Sequence, residues 1–310
     1  MKVAVLKGGR SLERGVSLRS AARVEDALER LGHEVVAIDV GADLVERLLA
    51  DPPDVAFVAM HGEGGEDGTV QELLEILGIP FTGPSAAACA RCMDKVLAKR
   101  AIEETGLPTP PWFAFSQTAF RELGAADALG RLEQTIGFPL VVKPSRGGSS
   151  LGVRFAAAAA EVPQALVSAF SYDDRVLLER FVDGRELAVS VLGDEALPVV
   201  EAILLEGDRY DFEARYEIGR TRFVCPADLG PEEERAVTEA ALGTYRALGC
   251  TGFARIDLIL SPDGPFLLEA NAIPGLTDTS LLPQAAEAAG LTFEQLVARI
   301  LDLALHPAPA

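Results

Sequence analysis

Apolar and polar positions follow two different periodicities in the N-terminal part of the chain. Short apolar runs predict buried strands at residues 2–6, 33–40 and 54–60. Between them, apolar side chains recur every three or four positions and predict helices at residues 18–31 and 69–77. Strands that alternate with helices indicate a parallel sheet with helices on its faces.

Two glycine-rich turns follow strands of this predicted sheet, at Gly8-Gly9 and at residues 62–68. Ligands bind beyond the carboxyl ends of the strands in such sheets, which makes the neighbouring Glu13 and His61 candidate binding residues. A single Glu or His in a loop is, however, more often an ordinary surface residue. Neither turn has the G-x-G-x-x-G pattern, so a nicotinamide-dependent oxidoreductase is not expected.

The middle of the chain predicts two long helices, at residues 86–105 and 117–136, and then a strand that ends in Lys143. The loop that follows, residues 144–152, is rich in glycine and serine and leads into a strand at 153–155. Glycines let backbone N–H groups approach phosphate oxygens, and serine hydroxyls add donors. The loop therefore predicts a phosphate site, although not a Walker A loop, because the lysine precedes it. The alternative is a flexible hairpin tip.

The C-terminal half combines strands with a long polar segment. Its predicted elements are a helix at 156–170, strands at 176–182, 186–192 and 198–204, a helix at 231–248, and two closing helices. Residues 207–225 are polar, and a long irregular loop of this kind is typical of a lid or a binding loop.

Residues 255–271 predict a β-hairpin, because two apolar runs flank a short turn sequence. Residues 262–264 (Pro-Asp-Gly) form the predicted three-residue connection, with glycine at the position that can take a positive φ. Ser261 then pairs with Pro265, and the remaining pairs follow by counting.

The counted register places Asp257 opposite Glu269 and Arg255 opposite Asn271. Side chains alternate between faces along a strand, so these four share one face. A divalent hard cation would balance such a face, because carboxylate and amide oxygens are ligands that Mg²⁺ binds, usually together with substrate phosphates. The alternative is an edge hairpin with a solvated charged face.

Composition and charge indicate the general class of the protein and the kinds of molecule that it can bind. The 310 residues, of which 49% are hydrophobic and 24% charged, predict two or three soluble globular domains. The formal net charge of -19 argues against a nucleic-acid or anionic-membrane partner. We find no signal peptide and no apolar run of the roughly 18–20 residues that span a bilayer, and we expect a cytoplasmic protein. The four cysteines predict no disulfide framework, and Cys89-x-x-Cys92 is better explained by helix packing than by zinc.

Eight short stretches carry most of the polar and glycine residues discussed above. They are residues 8–14 (GGRSLER), 61–69 (HGEGGEDGT), 92–95 (CMDK), 142–152 (VKPSRGGSSLG), 210–216 (YDFEARY), 225–227 (CPA), 255–257 (RID) and 268–281 (LEANAIPGLTDTSL). In this order, over nearly the whole chain, they resemble the D-alanine–D-alanine ligase family, which has the ATP-grasp fold.

The resemblance implies an α/β protein whose C-terminal half is α+β. It implies an N-terminal parallel-sheet (pre-ATP-grasp) domain at residues 1–84, which binds substrate. A central ATP-grasp subdomain with the phosphate loop would occupy residues 85–178. A C-terminal ATP-grasp subdomain, with the lid and the hairpin, would occupy residues 179–310.

The resemblance also implies ATP and two Mg²⁺ (or Mn²⁺) ions as cofactors. The metal ligands would be Asp257, Glu269 and Asn271. The implied ATP-binding residues are Lys95, Lys143, Ser149, Glu179, Arg180, Phe181, Val182, Glu186, Tyr210 and Arg215. The two lysines would contact phosphates, residues 179–182 would lie at the adenine, and Glu186 would bind the ribose hydroxyls.

The implied catalytic residues are Glu13, Ser149, Tyr216, Arg255 and Ser280, and the implied substrate-binding residues are Glu13, His61, Gly275 and Ser280. Glu13 would bind the ammonium of the first D-alanine, and Ser280 the carboxylate of the second. Glu13, Ser149 and Tyr216 would form a hydrogen-bonded triad that ties the lid shut. Arg255 would stabilise the oxyanion of the tetrahedral intermediate.

The reaction implied is ATP-dependent ligation of two D-alanine molecules through an acyl phosphate, for peptidoglycan precursor synthesis, by a homodimer. Tyr216 stands where family members that make the dipeptide have tyrosine, and those that make D-alanyl-D-lactate have phenylalanine. The alternative is a related ligase that joins another D-amino acid or amine. Gly15 and Gly147 replace common glutamates, and Arg215 replaces a lid lysine. We expect Gly147 to affect closure of the phosphate loop and Arg215 to affect turnover.

Overall fold

The computed structural model describes residues 1–124, 129–148, 150–204 and 221–306. Its N-terminal part contains β1 (Lys2–Lys7), α1 (Arg14–Arg30), β2 (Glu34–Asp39), α2 (Leu44–Ala50), β3 (Val55–Val58) and α3 (Thr69–Leu77). The strands pair in parallel in the order β2-β1-β3. The predicted parallel sheet is therefore confirmed, and α3 has the predicted bounds.

Alternate residues of β1 enter two different cores, as the two-residue period of a strand requires. Val3 and Val5 pack in one cluster with α1, whereas Ala4 and Leu6 pack in another with α2 and α3. The first cluster continues through Leu187 and other residues of the C-terminal sheet. Apolar packing thus joins the N-terminal sheet to the C-terminal part of the chain.

The predicted helix at residues 86–105 is wrong in one respect, because the structure has two helices there. α4 spans Ala86–Met93 and α5 spans Lys95–Glu104, and Asp94 between them has an extended backbone with φ -90° and ψ 101°. The Asp94 side chain accepts hydrogen bonds from the backbone N–H groups of Val96 and Leu97. An aspartate that caps the following helix favours a break at this position.

The central sheet is antiparallel, in the order β4-β7-β5-β6. Its strands are β4 (Trp112–Ser116), β5 (Leu140–Pro144), β6 (Arg154–Ala156) and β7 (Arg175–Arg180), and its helices are α6 (Gln117–Glu122), α7 (Leu132–Thr135) and α8 (Val162–Ala169). The Gly/Ser-rich loop connects β5 to β6, as predicted.

Two helix predictions in this region are wrong. The predicted helix at 117–136 is interrupted after α6, where Gly124 takes the left-handed conformation with φ 71° that often follows a helix end. The predicted helix at 156–170 begins only at Val162, where a proline occupies the first turn. Ala156 instead pairs with Leu140 in the sheet.

The C-terminal sheet runs in the order β11-β10-β8-β12-β13, with β9 paired to β8. Its elements are β8 (Arg185–Leu192), β9 (Glu195–Ala196), β10 (Val200–Leu204), β11 (Thr221–Val224), α9 (Pro231–Ala247), β12 (Phe253–Ser261), β13 (Gly264–Asn271), α10 (Leu281–Ala288) and α11 (Phe293–Leu305). A parallel N-terminal sheet followed by antiparallel sheets confirms the predicted fold class. The boundaries after residues 84 and 178 stay predictions.

The hairpin of β12 and β13 has the predicted facing pairs but a different turn. Ser261 pairs with Gly264, not with Pro265, so the connection has two residues instead of three. The register then shifts by one next to Leu258, where Leu268 forms a bulge. Because of this shift, Asp257 still lies opposite Glu269.

All four cysteines are free thiols, and Cys89 and Cys92 are buried on α4. Cys92 Sγ lies 3.5 Å from Cys250 Sγ. Among the described residues, no helix combines the length and the apolar character needed to cross a membrane.

Candidate active site

A cavity of about 290 Å³ lies between the central and the C-terminal sheets. The predicted residues that line it are Lys95, Lys143, Glu179, Arg180, Phe181, Val182, Glu186, Arg255, Asp257, Glu269 and Asn271. Residues 146–148 of the Gly/Ser loop cover one side of it. The fold therefore brings most of the predicted nucleotide and metal residues to one cavity.

The polar face of the hairpin lines this cavity as a hydrogen-bonded set. Arg255 donates from Nε and Nη2 to the two carboxylate oxygens of Asp257, both at 2.7 Å. Asn271 Nδ2 donates to Asp257 Oδ2 at 3.0 Å. Burial alone would lower the pKa of Arg255, but the adjacent Asp257 raises it well above its ordinary value. Arg255 thus stays charged, and the polar face of the hairpin forms part of a cavity wall and is not a solvated edge.

Glu269 stays ionised although the cavity wall partly desolvates it. Desolvation alone would raise the pKa of its carboxyl, but Lys95, Lys143 and Arg255 lower it below the ordinary value. Lys95 Nζ lies 3.6 Å from Glu269 Oε2. Two carboxylates and an amide are available to a hard cation here, although no group of three or more His, Cys, Asp or Glu side chains within the described residues is arranged to hold one. Phosphate and water oxygens commonly complete such a site.

Lys95 also anchors the Gly/Ser loop. Its Nζ donates to the carbonyl oxygen of Gly147 at 2.7 Å, and its backbone N–H donates to the carbonyl oxygen of Ser145 at 2.9 Å. Ser145 Oγ donates in turn to Asp94 Oδ1 at 2.7 Å. The break between α4 and α5 therefore places a cap and a lysine against the loop that is predicted to bind phosphate.

A buried charge cluster lies at the inner end of the cavity, and one of its members was not predicted. Lys143 Nζ lies 2.6 Å from Glu179 Oε2, and Lys99 Nζ contacts Glu179 Oε1 and the hydroxyl of Thr109. Burial lowers the pKa of Lys99 to about 8 in spite of Glu179. Burial opposes ionisation of Glu179 too, yet Lys143 and Lys99 lower its pKa. Lys99 follows Lys95 by four residues, a spacing that places both on one face of a helix.

A second cavity, of about 570 Å³, lies on the other side of the Gly/Ser loop, and Glu13 lines it. Arg146, Gly147 and Gly148 line both cavities. The loop approaches Glu13 closely, because a Cβ atom at Gly148 would lie 2.8 Å from Glu13 Oε1. Gly62 approaches the other carboxylate oxygen in the same way. The structure thus places Glu13 beside the loop and not within the first cavity.

His61 lines neither cavity and is buried, with 3% of its surface exposed. Its Nδ1 lies 3.1 Å from both Glu66 Oε1 and the carbonyl oxygen of Ile273, and its Nε2 lies 3.0 Å from Ser20 Oγ. Protein groups therefore surround both ring nitrogens. Glu66, like Lys99, was not predicted as part of the site.

Ser280 is the N-cap residue of α10, and its hydroxyl lies within its own loop. Its Oγ accepts from the backbone N–H of Thr277 at 3.1 Å and lies 2.8 Å from Thr277 Oγ1. A Cβ atom at Gly275 would lie 2.7 Å from that Oγ, so a side chain there would displace the Ser280 hydroxyl. Ser149, Tyr210, Arg215 and Tyr216 lie outside the described residues.

Comparisons with known proteins match nearly the whole chain. The models of the families described as D-ala D-ala ligase C-terminus and D-ala D-ala ligase N-terminus match residues 101–302 and 45–84. The chain belongs to the D-alanine–D-alanine ligase family. A D-alanine–D-alanine ligase of Gloeobacter violaceus is 42% identical over 309 residues, which cover 98% of this chain and 100% of the relative.

Solved structures of the ligase family have the same fold. The D-alanine–D-alanine ligase from Bacillus anthracis complexed with ATP is 32% identical, with a TM-score of 0.84 over 99% of this chain and 98% of that one. The VanG D-Ala:D-Ser ligase from Enterococcus faecalis is 28% identical, with a TM-score of 0.82 over 98% of this chain and 99% of that one. The fold alone therefore does not separate D-alanine from D-serine as the second substrate.

Proposed function

We propose that this chain ligates two D-alanine molecules to D-alanyl-D-alanine in an ATP-dependent reaction, with ADP and phosphate as the other products. The observation that carries the proposal is the cavity in which Lys143, Glu179, Asp257, Glu269 and Asn271 meet, in a chain that matches D-alanine–D-alanine ligases from end to end. We expect the product to serve peptidoglycan synthesis, and the enzyme to be a cytoplasmic homodimer.

The lining of the first cavity offers cationic and polar groups that would suit ATP. The ammonium groups of Lys95 and Lys143 would bind its phosphates, together with backbone N–H groups of the Gly/Ser loop. Glu179 and residues 180–182 would contact the adenine, and Glu186 the ribose hydroxyls. Phe181 is held in place by an edge-to-face contact with Phe155, with ring centroids 5.6 Å apart.

The hairpin would hold two Mg²⁺ (or Mn²⁺) ions together with the phosphates of ATP. Asp257, Glu269 and Asn271 offer the oxygen donors that hard divalent cations prefer, and Glu269 is ionised. When bound, the ions would neutralise the negative charge on the phosphates. Arg255 and Asn271 hydrogen-bond to the Asp257 carboxylate, so the ions would share this carboxylate with both side chains.

The substrates would bind where the two cavities meet at the Gly/Ser loop. Glu13 would hold the ammonium of the first D-alanine, whose carboxylate receives the γ-phosphoryl group of ATP. The free amine of the second D-alanine, held at Ser280 and Gly275, would attack the acyl phosphate. Arg255 would donate hydrogen bonds to the oxyanion that forms, and phosphate would leave.

Several residues of this proposal belong to the predicted lid or to the Gly/Ser loop. Ser149 and Tyr216 would join Glu13 in the triad that closes the lid, and Tyr210 and Arg215 would lie near ATP. A closed lid excludes water from the acyl phosphate, which otherwise hydrolyses. His61 would lie near the first substrate.

Phosphate release tests the proposal. The purified protein is incubated with ATP and Mg²⁺ and with D-alanine alone, D-alanine plus D-serine, or D-alanine plus D-lactate, and the products are identified by mass spectrometry. We expect phosphate release and D-alanyl-D-alanine with D-alanine alone. No release with D-alanine alone, but release with a mixture, would favour the alternative, a related ligase with another second substrate.

A further inference from the structure

Side chains of the N-terminal domain hold the loop that carries Gly275 and Ser280. The backbone N–H of Leu276 donates to Ser20 Oγ at 3.1 Å, and Arg23 Nη1 donates to the carbonyl oxygen of Leu276 at 2.6 Å. Ser20 and Arg23 lie three residues apart on α1 and therefore on one face of it. Both polar backbone groups of Leu276 are thus bound by one helix.

His61 extends these contacts to Ile273. Its Nδ1 has two oxygen acceptors, the carboxylate of Glu66 and the carbonyl of Ile273, each at 3.1 Å. These two acceptors assign the proton to Nδ1, since a carbonyl oxygen can only accept. The Ser20 hydroxyl, which accepts from Leu276, then donates to Nε2 at 3.0 Å. Glu66, His61 and Ser20 thus form one hydrogen-bonded chain, which contacts the loop at Ile273 and at Leu276.

Arg23 makes two further contacts that join the loop to the rest of the fold. Its Nε lies 2.9 Å from Asp278 Oδ1, and its guanidinium carbon lies 3.9 Å from the ring centroid of Phe293 on α11. A shift at Leu276 would reach Ser280, because Ser280 Oγ is hydrogen-bonded to the backbone N–H of the adjacent Thr277.

The geometry points to Ser20 and Arg23 as positioning residues for the binding site of the second amino-acid substrate, with His61 acting through Ser20 and Ile273. This inference rests on the proposed function. It assigns α1 a role in holding the carboxylate-binding loop in place, whereas Glu13, just before the same helix, would bind the first substrate. One helix would then set the distance between the two substrates.

Initial rates of phosphate release test this inference. Because two D-alanine molecules bind, the dependence of rate on D-alanine at saturating ATP resolves two Michaelis constants. The first describes the D-alanine that is phosphorylated, and the second describes the D-alanine that supplies the amine. We expect Arg23→Met to raise the second constant about tenfold, as expected for the loss of an ionic hydrogen bond. The first constant and that for ATP should change less than about twofold. Arg23→Lys should recover part of the loss, and Ser20→Ala should resemble Arg23→Met.

Arg19→Met is the matched control, because Arg19 is exposed and lies one turn before Arg23 on α1. The wild-type protein is measured first, so a failure of the proposed function shows there as an absence of D-alanine-dependent phosphate release. The inference itself is overturned if Arg23→Met leaves the second constant unchanged, or raises all three constants together while lowering the melting temperature. If Ser20→Ala does not fold, Arg23→Met decides alone, since Arg23 is partly exposed.

Discussion

Lys143 Nζ lies 2.6 Å from one carboxylate oxygen of Glu179, and Lys99 contacts the other. All three side chains are buried, so the single negative charge is shared by two ammonium groups in a medium that solvates none of them well. Such a cluster costs desolvation free energy, and it is stable only while its members stay paired.

We predict that Lys99→Met lowers the free energy of unfolding by about 2–3 kcal/mol, less than for an isolated buried pair because Lys143 still neutralises Glu179. Urea denaturation measures the change. Lys7→Met is the control, since Lys7 pairs with Glu25 at a partly exposed site and should cost less than about 1 kcal/mol. Equal losses of unfolding free energy in Lys99→Met and Lys7→Met would contradict the prediction that the buried ion pair contributes more than the partly exposed one.

Acid should destabilise the protein partly through Asp94. Burial opposes ionisation of Asp94, but hydrogen bonds from Ser145, Leu97 and Val96 hold its pKa below the ordinary value of 3.8. A group with a lowered folded-state pKa stabilises the fold above its ordinary pKa, and this contribution is lost as the pH falls through the folded-state value. We therefore expect the free energy of unfolding to fall less steeply in Asp94→Asn than in the wild type when pH is lowered below about 5. If the free energy of unfolding falls equally steeply with pH in Asp94→Asn and in the wild type, Asp94 does not contribute to the acid sensitivity.

Glu269→Gln should abolish phosphate release and leave the fold intact. The amide keeps the size of the side chain but removes the negative charge that a cation and the adjacent Lys95 require. Phosphate release and circular dichroism are measured together. Glu239→Gln on the exposed face of α9 is the control and should behave as wild type. Normal turnover by Glu269→Gln would count against its metal role.

The hairpin shows how much the sequence can predict. The predicted pairing of Asp257 with Glu269 is confirmed, although two deviations from the prediction cancel to produce it. The turn itself was wrong by one residue, and the bulge at Leu268 compensates for the error. A bulge inserts one unpaired residue into a strand, and this position is not apparent in the sequence because Leu267 and Leu268 are both apolar.

Contacts between distant segments could not be predicted in this way. The apposition of Glu13 and Gly148, and of Ser20 and Leu276, depends on how the N-terminal sheet packs against the rest of the chain. Periodicity describes one element at a time and says nothing of that packing. The resemblance to the ligase family supplied roles for some of these residues, but not for Lys99, Glu66 or Arg23.

Gly148→Ala should weaken binding of the first D-alanine. The new Cβ atom would lie 2.8 Å from Glu13 Oε1, so the carboxylate must move, while the backbone at Gly148 needs no left-handed conformation. We expect the first Michaelis constant for D-alanine to rise about tenfold with little change in that for ATP, because a displaced ammonium ligand misorients the substrate. Gly130→Ala, which meets no atom within 4 Å, is the control. If both alanine variants bind D-alanine as the wild type does, then Glu13 does not hold the first substrate from this position.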